Sequence, residues 1–153
     1  MRRLLKNRVV AISSSGGHLT ELQESIPEGV LKYVTYVTSE DGRTRNTLRT
    51  VDHFFISEPN GLKWKYGLTI LQSLVLFLKL RPAVVISTGS GLAVPFLVLS
   101  KLFGSFIIFI ESGARIDSAS KAGKVMYVFS DVFIVQYKSL LKFYPNAIIA
   151  SLK

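Results

Sequence analysis

The sequence predicts an α/β fold in which a parallel sheet is wound in both directions, and three observations carry that prediction. Strand-like and helix-like runs alternate from end to end, the pattern of successive βαβ units. Most of the strand-like runs are continuously apolar, as in a sheet covered on both faces. The first of them passes through a turn of small residues straight into a helix. A length of 153 residues fits a single Rossmann-like domain, 1–153, large enough to bury about two thirds of its unfolded surface.

Val9 to Ser13 opens the sheet, and Ser13-Ser14-Ser15-Gly16-Gly17 leaves no bulk between the strand end and the helix that His18 begins. Backbone N–H groups and hydroxyls in such a turn can face an anion, so Ser14, Ser15, Gly16 and Gly17 are candidate ligands of a phosphate or a sugar. His18, in the first helical turn, meets the positive end of the helix dipole, which disfavours its protonated form; a neutral imidazole can act as a base. The plainer alternative is that Ser14 or Ser15 caps the helix and His18 packs or faces solvent. Tyr33 to Val37 and His53 to Ile56 read as the next strands.

The helix from about Trp64 to Leu80 has apolar residues over most of its surface and a narrow stripe of Lys65, Thr69, Gln72, Ser73 and Lys79. Its uninterrupted apolar core, Leu74 to Leu78, is far below the roughly 20 residues of a spanning helix. Cations at Lys63, Lys65, Lys79 and Arg81, with Trp64 and Tyr66 at one end, suit a helix lying in a membrane interface; burial against a partner protein is the alternative.

Ala83 to Ser87 follows as a strand. Leu92 to Ile110 then carries the single charge Lys101 over a length that could span a bilayer, but Pro95 and Gly104-Ser105 divide it into a helix and the buried strand Phe106 to Ile110. Val132 to Val135 and Ala147 to Ala150 complete the set of strands.

Composition narrows the function. With no cysteine and two histidines, neither disulfides nor a metal site is expected. Residues 1 to 60 hold eight Lys/Arg against seven Asp/Glu, whereas residues 61 to 153 hold eleven against three, so nearly all of the +9 net charge lies in the more apolar part. That combination points to an anionic membrane surface. The basic residues are dispersed among aliphatics without a nucleic-acid motif, so nucleic acid is not expected as a partner. Met1 to Arg8 is charged and leads directly into the first strand, unlike a signal peptide, which predicts a cytoplasmic location.

In an open parallel sheet, ligands bind beyond the carboxyl ends of the strands. Three loops lie there: Ser13 to His18; Ser87-Thr88-Gly89-Ser90-Gly91; and Glu111-Ser112-Gly113-Ala114-Arg115. The expected pocket has His18, Glu111 and Arg115 as its titratable groups, with Thr88, Gly89 and Ser90 as further ligands. Glu111 orients substrate or tunes His18, and Arg115 pairs with a phosphate. An ordinary surface ion pair is the alternative for those two. No turn matches the dinucleotide fingerprint or the phosphate-loop Gly-Lys-Ser/Thr, so no cofactor is expected.

Ser13 to Leu22, Ser87 to Gly91 and Phe109 to Arg115 together resemble the signature segments of the membrane-associated subunit of two-part glycosyltransferases. That family includes the eukaryotic subunit that recruits the catalytic partner for the second GlcNAc of dolichol-linked oligosaccharide, and bacterial capsule and exopolysaccharide subunits of the PssD/CpsF type. The single-chain peptidoglycan GlcNAc transferase carries a similar glycine-glycine-histidine turn. The resemblance implies the N-terminal, acceptor half of a GT-B glycosyltransferase, paired with a separate UDP-sugar-binding subunit and acting on a polyprenyl-diphosphate-linked sugar. It makes His18 the candidate base or acceptor-hydroxyl ligand, sets the Gly16-Gly17 turn against the lipid diphosphate or the donor, and gives Glu111 a hold on the acceptor sugar. The N-terminal membrane helix of the eukaryotic subunit has no counterpart in this sequence, which implies the bacterial type, attached peripherally at the cytoplasmic face of the membrane. Two rival classes stay open: a complete small nucleotide-sugar enzyme, and a non-catalytic anchor for its partner.

Overall fold

A computed structural model describes residues 8–59 and 63–151, apart from the Lys63 side chain. The expectations placed on Met1 to Asn7 and on the Lys63 side chain lie outside the described residues. Seven parallel strands form one sheet: β1 (Val9–Ile12), β2 (Val34–Thr38), β3 (His53–Phe55), β4 (Val84–Ser87), β5 (Phe106–Ile110), β6 (Val132–Val135) and β7 (Ile148–Ile149). Their order is β3-β2-β1-β4-β5-β6-β7, so the chain winds outward in one direction from β1 and in the other from β4. Every predicted strand is present, with ends displaced by a residue or so where fraying and turn geometry decide.

Helices α1 (Gly17–Glu24), α2 (Glu28–Leu31) and α3 (Thr44–Thr47) connect β1, β2 and β3; α4 (Lys63–Leu80), α5 (Ala93–Leu102) and α6 (Lys121–Phe129) connect the strands from β3 to β6. Alternation along β1 separates two cores. Val10 and Ile12 pack with Leu76, Phe77, Phe96, Leu97 and Met126 from α4 to α6, while Ala11 packs with Leu19 and Leu22 of α1 and with Leu48. Each fully buried side chain of this size contributes about 1.5–3 kcal/mol, so both faces of the sheet are needed to hold it.

The Leu92 to Ile110 segment enters the core through Ala93, Phe96, Leu97, Ile107 and Phe109, while Leu102, Phe103 and Phe106 around the predicted break between α5 and β5 are exposed. Ser105 Oγ donates to Pro82 O at 2.7 Å and ties that break to the start of β4.

Helix α4 buries Leu76, Phe77 and Leu80 against the sheet, yet a second apolar face stays outside while two polar side chains turn inward. Its polar Thr69 and Ser73 are fully buried, whereas Trp64 (67%), Leu71 (57%), Val75 (57%) and Leu78 (54%) are exposed. Thr69 and Gln72 are used locally: Thr69 Oγ1 donates to Ser57 O at 2.8 Å and Gln72 Oε1 accepts from Ser57 N at 2.8 Å, fastening the segment after β3, whereas Ser73 Oγ is buried with no hydrogen-bond partner among the described residues. Among the described residues, no helix is long and apolar enough to cross a membrane.

Candidate functional site

The reversal of winding lies between β1 and β4, and the loops leaving those two strands meet there. Ser14 N donates to Ser90 Oγ at 3.2 Å, and Thr88 Oγ1 donates to the carbonyl of His18 at 2.8 Å. Ser15 N donates to Ser39 Oγ at 3.0 Å, which brings the end of β2 into the same arrangement. The backbone N–H groups of Ser14 and Ser15 are therefore occupied by protein hydroxyls. Neither serine caps α1; Gly16 holds that position with no side-chain hydrogen bond, in a left-handed φ of 76° that suits glycine. The N–H groups of Gly17 and His18, in the first turn of α1, have no carbonyl within the helix to reach.

The second loop serves as a brace. Ser87 and Thr88 are buried, Gly89 N donates to Ser87 Oγ at 3.1 Å, and the Phe109 ring would sit 3.4 Å from any Cβ added at Gly89. Gly89 and Ser90 have φ of 95° and 101°. For Ser90 that conformation costs about 1–3 kcal/mol and is held by the tertiary structure around it. Thr88 and Ser90, expected as ligands, thus direct their hydroxyls to the backbone of the first loop and fix where His18 stands.

The third loop departs further from expectation. Glu111 is 1% exposed, and its Oε2 accepts a 2.7 Å hydrogen bond from Tyr144 Oη beneath Gly123 of α6. Burial, and then the adjacent Glu111 carboxylate, push the Tyr144 hydroxyl well above the usual phenol range, with Arg115 opposing. The carboxylate is absent from the lining of the cleft that holds His18. Its assigned partnership with His18 across the strand ends is replaced by one with Tyr144, because α6 packs down onto the end of β5. Arg115 is exposed, with its N–H donating to Ser112 O at 2.9 Å.

His18 and Gly17 instead line a cleft of about 650 Å³ with Glu21, Gly113, Gln136 and Tyr137. His18 is half-buried, with Nδ1 enclosed and without a hydrogen-bond partner among the described residues, so Nε2 is the nitrogen open to a ligand. A second cleft of about 650 Å³ adjoins Gly16 and Gly17 from the side of Asp41 and Arg43. There Asp41 Oδ1 accepts from the N–H groups of Thr44 and Arg43 at 2.6 and 2.9 Å; the Thr44 N–H, then the Thr44 and Ser15 hydroxyls, and last the Arg43 N–H hold its carboxyl down to about 2. The glycine turn is a ridge between the two clefts.

Glu21, Gln136 and Tyr137 escaped the sequence reading. Glu21 follows His18 by three residues on α1 and so shares its face, and Gln136 directly follows β6, where the strand-end rule reaches it. Among the described residues there is no group of His, Cys, Asp or Glu placed to hold a metal.

The family model described as "Oligosaccharide biosynthesis protein Alg14 like" matches residues 62–152. UDP-N-acetylglucosamine transferase subunit ALG14 of Candida albicans is 39% identical over 104 residues, covering 64% of this chain and 46% of the relative. The mouse subunit of the same name is 34% identical over 82 residues, covering 50% and 38%. The matches span less than half the length of these relatives. MurG of Acinetobacter baumannii superimposes with a TM-score of 0.68 at 15% identity, over 86% of this chain and 42% of that one. A UDP-N-acetylglucosamine 2-epimerase from Rickettsia bellii gives 0.70 at 17% identity, over 90% and 40%. At these identities the likeness is one of fold, a Rossmann-like sheet of the kind found in one half of a GT-B enzyme. With the family model matching more than half of the sequence, the chain belongs to the Alg14-like family.

Proposed function

We propose that this chain is the acceptor-side subunit of a bacterial polysaccharide glycosyltransferase, binding a polyprenyl-diphosphate-linked sugar and pairing with a separate UDP-sugar-binding subunit. The observation that carries the reading is the cleft beyond the ends of β1, β5 and β6, which His18 and Glu21 both line, with His18 Nδ1 enclosed and Nε2 left as its other ring nitrogen. In this role His18 Nε2 takes the proton from the acceptor hydroxyl as its oxygen bonds to the anomeric carbon of the donor, and the bond from that carbon to UDP breaks. The N–H groups of Gly17 and His18, with the Arg115 guanidinium, suit the acceptor diphosphate. Glu111 positions the third loop from beneath through Tyr144.

The donor is assigned to the partner because no dinucleotide or phosphate-loop pattern is present. Calorimetry of the chain alone with UDP-Glc, UDP-Gal, UDP-GlcA and UDP-GlcNAc is expected to detect weak binding or none. A micromolar Kd for any of them would overturn the two-chain reading in favour of a complete enzyme.

Attachment to the cytoplasmic face of the membrane is assigned to α4, whose outward face presents Trp64, Leu71, Val75 and Leu78. Lys65 and Lys79 flank that face, with Nζ 5.9 Å from the Trp64 ring centre and 4.5 Å from that of Phe54. Each cation near an anionic surface adds about 1 kcal/mol in a salt-sensitive way. Neutralising Lys63, Lys65, Lys79 and Arg81 together is expected to reduce flotation with anionic liposomes strongly at low salt. Unchanged flotation would make α4 a protein-binding face.

A further inference from the structure

Glu21 is held by one oxygen only. Its Oε1 accepts from Gly113 N and from Gln136 Nε2, both at 2.6 Å, and Gln136 Nε2 also reaches Glu111 O at 3.3 Å. Oε2 of Glu21 and Oε1 of Gln136 make no hydrogen bond among the described residues, and no cation there forms an ion pair with Glu21. The placement is tight: a Cβ at Gly113 would lie 3.0 Å from Gln136 Oε1 and 3.1 Å from Glu21 Oε1. A carboxylate locked at one oxygen by two donors, with its other oxygen left over, is a preorganised acceptor.

The groups left over on this wall of the cleft are hydrogen-bond acceptors, Glu21 Oε2 and Gln136 Oε1. Such a wall repels phosphate and matches a ligand that brings several hydroxyl donors. Tyr137, next along the chain and 38% exposed on the cleft, adds an apolar ring face with a polar tip. Convergent acceptors beside an aromatic face are the complement of a pyranose, with hydroxyls at its edge and C–H bonds on its face.

We infer that Glu21, Gln136 and Tyr137 form the subsite for a pyranose ring, with sugar hydroxyls donating to Glu21 Oε2 and Gln136 Oε1 and the ring lying on Tyr137. That this sugar is the glycosyl acceptor rests on the proposed function; that a pyranose binds here does not. The diphosphate is left to the other side of His18, toward the first turn of α1.

The test is an NMR titration of the isotope-labelled full chain with methyl β-D-glucopyranoside, methyl β-D-galactopyranoside and, separately, inorganic pyrophosphate. At least one glycoside is expected to move the amide signals of Gly113, Gln136 and Tyr137, and pyrophosphate to leave these three in place. Glu21→Gln and Tyr137→Ala should each weaken glycoside binding about tenfold, the first by loss of a hydrogen bond to a charged group and the second by loss of the aromatic face. Tyr137 is exposed, so its variant reports on binding without loss of the fold. No movement with either glycoside up to its solubility, or equal binding by both variants, overturns the subsite. Transfer by the reconstituted pair separates the two proposals. If it proceeds with acceptor KM unchanged in both variants, the subsite alone falls; if glycosides bind as described but no UDP-sugar-binding partner supports transfer, the subsite stands and the glycosyltransferase assignment falls.

Discussion

Replacing His18 by alanine is expected to cut sugar transfer by the reconstituted pair about a hundredfold or more, the usual weight of a positioned general base. The chain should stay folded and still co-purify with its partner. His18 is half-buried, the helix start is formed by the Gly16 backbone, and the ring nitrogen that is enclosed has no partner to lose among the described residues. The cost in stability is therefore about 1 kcal/mol or less. A loss of turnover below about threefold would make His18 structural and the chain an anchor for its partner. Glu111→Gln is expected to act differently and to show first as a lower melting temperature, because its carboxylate bonds to Tyr144 inside the core.

Gly123→Ala is expected to destabilise the fold by about 3 kcal/mol or more, at the upper end of overpacking. The added Cβ would stand 1.8 Å from Glu111 Oε2 and 2.5 Å from Tyr144 Oη. Both neighbours are 1% exposed and hydrogen-bonded to each other, so neither can swing into solvent. Either α6 lifts from the sheet or a buried carboxylate loses its partner, and the second is costly in itself. Gly67 in α4 supplies the control, since nothing lies within 4 Å of its Cβ position. Gly67→Ala should stabilise by up to about 1 kcal/mol through helix propensity alone. Urea denaturation of both variants measures the contrast, which is one of sign.

The sheet was legible because its strands are apolar runs whose neighbours along the chain are also their neighbours in space, except at the β1–β4 reversal. The three loops were legible for the same reason, since strand ends are set by topology. What was hidden is the direction each side chain takes after the strand ends. Glu111 follows β5 directly and reads as a cleft carboxylate, but packing of α6 encloses it. Glu21 reads as an ordinary helix-surface acid, and only the approach of Gly113 and Gln136, 92 and 115 positions further along, gives it a role. Thr88 and Ser90 read as ligands because hydroxyls in a glycine-rich turn suit that use; their partners are backbone groups of the neighbouring loop. Likewise α4 was recognised as unusually apolar, yet its inward-facing polar stripe required knowing that Ser57 needed both a donor and an acceptor.

The second, outward apolar face of α4 uncouples solubility from folding. Leu71, Val75 and Leu78 project away from the two cores, so charged replacements there leave the packing of the sheet almost untouched while removing an exposed apolar face. Thr69 and Ser73, which look like harmless surface positions on a helical wheel, are the ones that tolerate no bulk. Charged residues can therefore be written into the outward side of this helix for crystallisation while the buried contacts of Leu76, Phe77 and Leu80 with the sheet are kept.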